Sequence, residues 1–375
     1  MKQENLSKVV KLRHELHRHP ELSMEETFTK EHLMEFVEEN TNLEIVNKGR
    51  WFYVYKKGSH STMSPIAFRA DFDAVAIKET CDIPHVSLIE GVGHKCGHDG
   101  HSSVLAGLIL ELEKIQTKTD IYFIFQHAEE TGQGGEECAS LISEKGIKEI
   151  YAFHNRSGFE RHTIVYRRGL TQCASKGLTI HMEGKPSHAS QPEDGINPAY
   201  AIAELIQYSK ELVESDRFKE MVLCSIIHSL VGQPNFGICA SVGEVSMTLR
   251  ANREDELNEL EMALRNRAEE LGREQQMKVS FHVSDPFPET RNHDEAIDMV
   301  LKVAEKMNLK TLEMSQPWRA SEDFGYYTKQ CNGAMIYVGN GMDYPMVHTS
   351  DYDFCDDIIS TCVDLFYNIA MEERE

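Results

Sequence analysis

No stretch of this 375-residue chain is both long and apolar enough to cross a bilayer, which sets aside an α-helical membrane protein. The opening Met1-Lys2-Gln3-Glu4-Asn5 also lacks the apolar core of a secretory leader, so a cytoplasmic location is expected. Positive charge is scarce: 39 Lys and Arg stand against 61 Asp and Glu, a formal net charge of −22. Such a surface repels nucleic acid and anionic lipid headgroups, and the acidic residues are dispersed rather than gathered in a tail. The nine cysteines are odd in number and lack the regular spacing of a disulfide scaffold. In a reducing compartment an unusual cysteine is a ligand, a nucleophile or a core residue. Internal repeats and low-complexity segments are absent as well. What is present is a soluble globular composition, 41% hydrophobic and 27% charged, on a chain too long for one ordinary core. Two domains are expected. The 18 histidines, several beside carboxylates or cysteine, are the residues to follow.

Hydrophobic periodicity gives the first third an alternation of helices and strands. Val9, Val10, Leu12 and Leu16 form a helical stripe over Leu6 to His17, and Phe28, Leu33, Phe36 and Val37 another over Glu25 to Glu39. Short β-rich runs follow at Phe52–Tyr55 and Ile66–Ala70. Then come a helix starting just after His101, the strand Ile121–Gln126, a helix after Gly134-Gly135, and a strand over 149–153 that ends at His154. This rhythm predicts an α/β sheet with helices on both faces. From about 173 to 284 it changes to strand 175–183, helix 197–213, strands 221–231 and 240–251, helix 255–273 and strand 277–283. The order β-α-β-β-α-β is the split-βαβ pattern, a complete small domain. After Pro286 and Pro288 the first rhythm resumes with helix 294–308, strand 334–338 and a C-terminal helix from about Asp356. The expected architecture is a discontinuous mixed-sheet α/β domain, residues 1–172 and 285–375, interrupted by a ferredoxin-like domain, residues 173–284.

Cys96 and His98 lie two apart in Gly-His-Lys-Cys-Gly-His-Asp-Gly-His, a Gly-rich stretch with no helical pattern. In an extended segment such residues point to one side and could face one metal ion. A chance Cys-x-His is the alternative, as is a nucleophilic Cys96, although no helix N-terminus is expected to fall on it. The strand Ile121–Gln126 runs into His127-Ala128-Glu129-Glu130. Neighbours at a strand end point in opposite directions, which suits Glu130 on a metal and Glu129 as general base and acid. A solvated pair at a helix start is the alternative. Asp71 and Asp73 share a face, and Asp73 could fix the tautomer of a metal-bound imidazole, unless the two are a surface acidic pair. His154 follows a strand, and His348 follows the Gly339-Asn-Gly341 turn. Neither says much alone. Together, Cys96, His98, Glu130, His154 and His348 fall at strand ends of one α/β domain, where open-sheet sites form.

The motifs Cys96-Gly-His-Asp-Gly-His101, Ala128-Glu-Glu130 with Gly134-Gly135, Arg69-Ala-Asp-Phe-Asp-Ala74 and His17-Arg-His-Pro-Glu-Leu-Ser23 resemble the M20 metallopeptidase family. The likeness is to its amidohydrolase branch of N-acyl amino acid, hippurate and auxin-conjugate hydrolases and N-acetyldiaminopimelate deacetylases. Ser321-Glu-Asp-Phe324 and Val347-His-Thr-Ser350 carry it to the C-terminus. The resemblance implies a catalytic domain interrupted by a lid that mediates dimerisation, hence a homodimer. It implies two divalent ions on Cys96, His98, Glu130, His154 and His348, with Glu129 as catalytic acid/base. Zinc or manganese is expected, with cobalt or nickel as alternatives. His188, in Gly184-Lys-Pro-Ser-His-Ala189, is similar to the lid histidine that meets the scissile carbonyl, within its own subunit or across the dimer. Asn235 resembles the family's lid asparagine. Arg250 resembles its carboxylate-binding arginine, whose fork suits the free carboxylate of an amino acid. Asn235-Phe-Gly-Ile, Asp73-Ala-Val-Ala76 and Ser187-His-Ala-Ser-Gln-Pro192 depart from the branch's usual pattern. These departures bear on substrate preference more than on chemistry.

The reaction so implied is hydrolysis of an N-acyl amino acid, or a dipeptide, by a water activated between two ions. Competing readings are an N-acetyldiaminopimelate-type deacetylase or dipeptidase, a non-catalytic metal-binding scaffold, and a Cys96–His nucleophilic hydrolase.

Overall fold

The structure is a computed structural model that describes residues 1–60 and 63–374. The chain divides into two compact units, one of Met1–Thr171, Thr290–Pro317 and Glu322–Glu375, the other of Gln172–Glu289 with Trp318–Ser321. The second unit is longer than the periodicity suggests because its last strand runs over Lys278–Phe287. Trp318–Ser321 joins it through Cys173 N to Ala320 O (3.3 Å) and Ser175 Oγ to Ser321 Oγ (2.7 Å).

The first unit is built on an eight-stranded mixed sheet. Its order is Glu44–Asn47, Phe52–Lys56, Ile121–Gln126, Ile66–Asp71, Glu149–Ser157, Asn332–Gly341, Ile164–Tyr166 and Thr311–Glu313. The four strands from Ile121–Gln126 to Asn332–Gly341 are mutually parallel. They are apolar on both sides because both sides are covered. Phe52, Val54, Phe68, Phe123 and Phe125 face one core, with the helices Gln3–Arg18, His98–Leu112, Asp294–Lys306 and Ile359–Met371. Tyr53, Ala67, Tyr122 and Ile124 face the other, with Leu141, Ile142, Phe324 and Tyr327. Each large side chain buried this way contributes roughly 1.5–3 kcal/mol. The helix His98–Leu112 is the central one, with 13 of its 15 residues buried. It is apolar nearly all round, as a helix enclosed by its neighbours must be.

The second unit carries a four-stranded antiparallel sheet in the order Val222–Val231, Val242–Ala251, Ala174–Glu183, Lys278–Phe287. With the helices Ala199–Glu214 and Glu254–Glu274 between them in the chain, this is the ferredoxin-like arrangement. Leu178, Ile180, Met182, Val245, Met247 and Leu249 alternate inward to meet Leu257, Leu260, Leu264 and Leu271 of the longer helix. A two-residue pair, Ser187–His188 with Ile238–Cys239, stands apart from the main sheet. No helix of the described residues is long and apolar enough to cross a membrane, and no disulfide joins any of the nine cysteines, all of them among the described residues.

Candidate metal centre

The parallel strands of the first unit end close together, and their carboxyl ends carry the polar residues. Cys96 does not lie in an extended run with His98, as the lack of helical pattern suggests. Gly97 turns the chain at φ +101°, and His98 is the first residue of the long buried helix. A side chain at Gly97 would place its Cβ 2.4 Å from Asn155 Oδ1, so both the conformation and the space require glycine. Cys96 and His98 therefore converge through a turn at a helix N-terminus rather than through strand alternation. Cys96 Sγ lies 3.3 Å from His154 Nε2. His154 sits within the strand Glu149–Ser157 rather than after it, because that strand runs past residue 153 to pair with Asn332–Gly341. His348, in the left-handed conformation at φ +63°, brings Nε2 to 3.1 Å from Glu130 Oε1.

The groups of donor atoms within 4.8 Å of one another include Cys96, His98 and His154; Cys96, Glu130 and His348; His98, Glu129 and Glu130; and Asp71, His98 and His101. Their chemistry fits cations. Asp73 Oδ1 accepts from His98 Nδ1 at 3.0 Å, which aims the other ring nitrogen into the group. His98 Nε2 is buried without a hydrogen-bond partner, 3.8 Å from Glu129 Oε2 and 3.9 Å from Glu130 Oε1. Burial pulls the His98 imidazolium down, but Asp71, Asp73 and Glu130 outweigh it and hold it at about 10. His154 donates Nδ1–H to Asn155 O at 2.7 Å, and burial with His101 and His98 nearby keeps it neutral, the form a metal ligand needs. Burial, then Glu130, Glu129 and Asp71, raise the Cys96 thiol well above its ordinary value. Glu129 is also raised, by burial first and then by Glu322, Asp323, Glu130 and Asp71.

Asp73 holds more than one group. Its Oδ2 accepts from Ser23 Oγ (2.7 Å) and from the Glu130 backbone N–H (2.9 Å), so one carboxylate spans His98 and the Glu130 main chain. The turn that presents Glu129 begins at Ala128, at φ +47°. It is backed by Arg69, whose guanidinium donates to Gln126 Oε1 (2.8 Å), Asp71 Oδ2 (2.6 Å) and Asp323 Oδ1 (2.7 Å). Asp323 in turn accepts from Gln126 and from Gly135 N.

Sequence reasoning passed over several of these partners. His101 places one ring nitrogen 2.6 Å from Asp71 Oδ1 and the other 2.6 Å from Asn155 Oδ1. Asn155 Nδ2 donates to Cys96 O (3.2 Å) and Tyr352 Oη (2.6 Å), which orients it. Behind the turn, His17 bridges Asp99 (2.7 Å) and Glu79 (3.0 Å), and Arg13 reaches Asp99 and Asp353. His101 and Asp99 stand inside the Cys-Gly-His-Asp-Gly-His motif, which was the available signal; nothing local marks Asn155, Glu79 or Tyr352.

The remaining expected residues belong to the second unit. His188 is exposed, and its Nδ1 lies 3.1 Å from the Ser190 backbone N–H and 2.7 Å from Ser190 Oγ, which leaves Nε2 outward. Asn235 Oδ1 accepts from Gly237 N (3.0 Å) and lines a cavity of about 550 Å³ with Leu230, Gln233, Ile238 and Cys239. Arg250 is half-buried and donates to Ser321 Oγ at 2.6 Å and to Arg319 O.

A set of thiol, imidazole and carboxylate donors at the carboxyl edge of a parallel sheet, with Cys96, His98 and His154 buried, Glu130 partly buried and His348 exposed, and with a carboxyl beyond the ligand count, is the kind of centre a metal-dependent hydrolase uses. The model of "Peptidase family M20/M25/M40" matches residues 67–372. The chain is 27% identical over 374 residues to a hippurate hydrolase of Campylobacter jejuni, covering 96% of this chain and 95% of that protein. It is 26% identical over 357 residues to an N-acetyldiaminopimelate deacetylase of Ligilactobacillus salivarius, covering 93% and 92%. A solved structure of a dinuclear metal-binding peptidase of family M20 from Bacillus subtilis superposes with a TM-score of 0.82 at 22% identity, covering 99% of this chain and 98% of that one. The chain belongs to peptidase family M20/M25/M40 and is a metal-dependent amidohydrolase of its amidohydrolase branch.

Proposed function

We propose that the enzyme hydrolyses the amide bond of N-acyl amino acids, releasing a carboxylic acid and a free amino acid. The observation that carries the reading is Cys96, whose sulfur belongs both to the group with His98 and His154 and to the group with Glu130 and His348. Cys96, His98, Glu130, His154 and His348 would together hold the cations, and Glu129 would remain for proton transfer. Bound there, two divalent ions would acidify a water and polarise the acyl carbonyl. The thiolate and imidazoles suit zinc, and the carboxylates and water also suit manganese, with cobalt or nickel as alternatives. Glu129 takes the proton of the attacking water on a carboxylate oxygen and returns it to the departing amine nitrogen. His188 donates Nε2–H to the developing oxyanion, a role typically worth about 2.7–4 kcal/mol. Arg250 pairs with the free carboxylate of the substrate, and Asn235 contributes an amide hydrogen bond.

The likeness to a hippurate hydrolase supports an N-acyl amino acid as substrate, and the likeness to an N-acetyldiaminopimelate deacetylase supports acetyl removal as a second reading. A panel of N-acetyl, N-benzoyl and dipeptide substrates, assayed with added zinc, manganese or cobalt, separates them. Glu129→Gln should keep the metal content and lose hydrolysis by orders of magnitude; undiminished turnover would remove Glu129 from its role.

The working form we propose is a homodimer joined through the second unit, in the reducing cytoplasm where Cys96 stays a ligand. Val222–Val231 is an edge strand of the four-stranded sheet, and it exposes Ile226, Ile227 and Leu230 and carries no Lys, Arg, Asp or Glu, while His228 lies 3.4 Å from Glu244 of the neighbouring strand. An open edge strand without Lys or Pro to blunt it recruits a second strand.

A further inference from the structure

We propose that Lys95 is a positioning residue that fastens the segment carrying His348 to the segment carrying Cys96, and so sets the geometry of that ligand pair. This rests on the metal centre described under the proposed function. Lys95 is completely buried. Its three ammonium protons are all engaged, by Glu79 Oε1, by Tyr352 O at 2.7 Å and by Cys81 Sγ at 3.5 Å. Its main-chain carbonyl accepts from the His348 N–H at 2.6 Å. One residue, adjacent to Cys96 in the chain, thus holds the 348–352 segment at two points.

That segment needs holding. Between the strand Asn332–Gly341 and the short helix Asp356–Ile358 the chain has no regular structure, and His348 adopts a left-handed backbone conformation. Nothing in a repeating backbone pattern aims the imidazole; separate contacts must do so. The grip is reinforced from Glu79-Thr80-Cys81. Thr80 N donates to Ser350 O (2.9 Å), and Thr80 Oγ1 meets Ser350 Oγ (3.1 Å). Glu79 is itself fixed by His17 Nε2 (3.0 Å) and Ser87 N (2.7 Å). Removing an ammonium from water costs several kcal/mol, and an apolar side chain of the same size would fill the volume without that cost. What the apolar side chain could not do is bond Tyr352 O and Glu79 together in one fixed geometry.

The test uses full-length protein, made metal-free and titrated with Co(II) and Zn(II). Lys95→Met should weaken one of the two ions by about 10- to 100-fold, the range seen when a partner that orients a ligand is lost. It should also alter the thiolate-to-Co(II) charge-transfer band of Cys96. Because Lys95→Met alone removes one of the two cationic partners of the buried Glu79 and leaves only His17, the double variant Lys95→Met with Glu79→Gln serves where the single one folds poorly. It should regain stability and keep the weakened affinity. In a His348→Ala background Lys95→Met should have no further effect, since the ligand it aims is gone. A stably folded double variant that binds both ions as the unaltered protein does, with the same band, overturns the proposal. So does an equal loss with and without His348. If the unaltered protein itself takes up fewer than two ions, the metal-centre reading fails first, and the two failures are told apart by that control.

Discussion

Replacing Asp73 by asparagine tests how far a neighbour sets the quality of a ligand. The Asp73 carboxylate accepts three hydrogen bonds, from His98 Nδ1 (3.0 Å), Ser23 Oγ (2.7 Å) and Glu130 N (2.9 Å). An amide of the same shape has one acceptor oxygen. Turned toward His98, it sets its NH2 against the Glu130 N–H; turned the other way, it sets NH2 against His98 Nδ1–H. In either orientation one buried donor loses its partner, at a cost of roughly 1–3 kcal/mol, or about 5- to 150-fold in an equilibrium constant. Losing an orienting partner of a metal-bound histidine typically weakens metal affinity about 10- to 100-fold, which is the same range. The expected result for Asp73→Asn is a folded protein whose affinity for Zn(II) falls by that factor at the His98 position. Equilibrium dialysis of metal-free protein against a competing chelator reads it, with circular dichroism as the control for folding. A dissociation constant within about twofold of the unaltered protein would refute the argument, because it would mean that Asp73 orients nothing the ion depends on.

Gly134→Ala should abolish soluble folded protein or lower its stability by at least about 3 kcal/mol, since the new Cβ would lie 1.6 Å from the His127 carbonyl oxygen. Thermal unfolding checks this, and a near-native midpoint would show that the turn can move. His17 supplies a pH test. Burial lowers it, but Asp99 and Glu79 raise it more, to about 9 against an ordinary 6.5. Its contribution is thus fully present below about pH 6.5 and lost as pH rises through about 9, roughly 3 kcal/mol in all. The difference in urea stability between the unaltered protein and His17→Gln should shrink from pH 6 to pH 10; a constant gap would contradict the assignment. Ile227→Lys, on the exposed edge strand, should shift the sedimentation coefficient from dimer to monomer, and an unmoved peak would place the interface elsewhere.

Much of the fold was legible because periodicity reports which faces are buried. The stripe Leu257, Leu260, Leu264 and Leu271 marked its helix to within a residue or two, since one long amphipathic helix on one sheet leaves an unbroken pattern. Ile164–Tyr166 and Thr311–Glu313 went unseen: three-residue strands at a sheet edge are too short to carry a period. The helix expected after Gly134-Gly135 is two short ones, Gln133–Cys138 and Ser140–Lys145, too brief for a 3.6-residue repeat to register a break.

The candidate site divides along a different line. The proposed ligands and acid/base stand in short local motifs, so Cys96, His98, Glu129 and Glu130 draw attention in the chain itself, and the structure brings them together. The bonds that aim them are long-range, since His101 meets Asn155 from 54 positions away and Asn155 meets Tyr352 from 197. A sequence pattern carries no record of such pairs. The Cys96–His98 pair illustrates the consequence. Extended geometry correctly suggested that two side chains one residue apart can converge, but a glycine at φ +101° leading into a buried helix does this by another route. That route fixes His98 at the start of the most enclosed helix in the unit, whose helical backbone holds its Cα while the bond to Asp73 decides where the ring points. If the proposed ligands hold the metals, the precision of the centre rests on partners such as Asp73, Asn155 and Lys95, and substitutions there should change metal affinity while every proposed ligand remains in place.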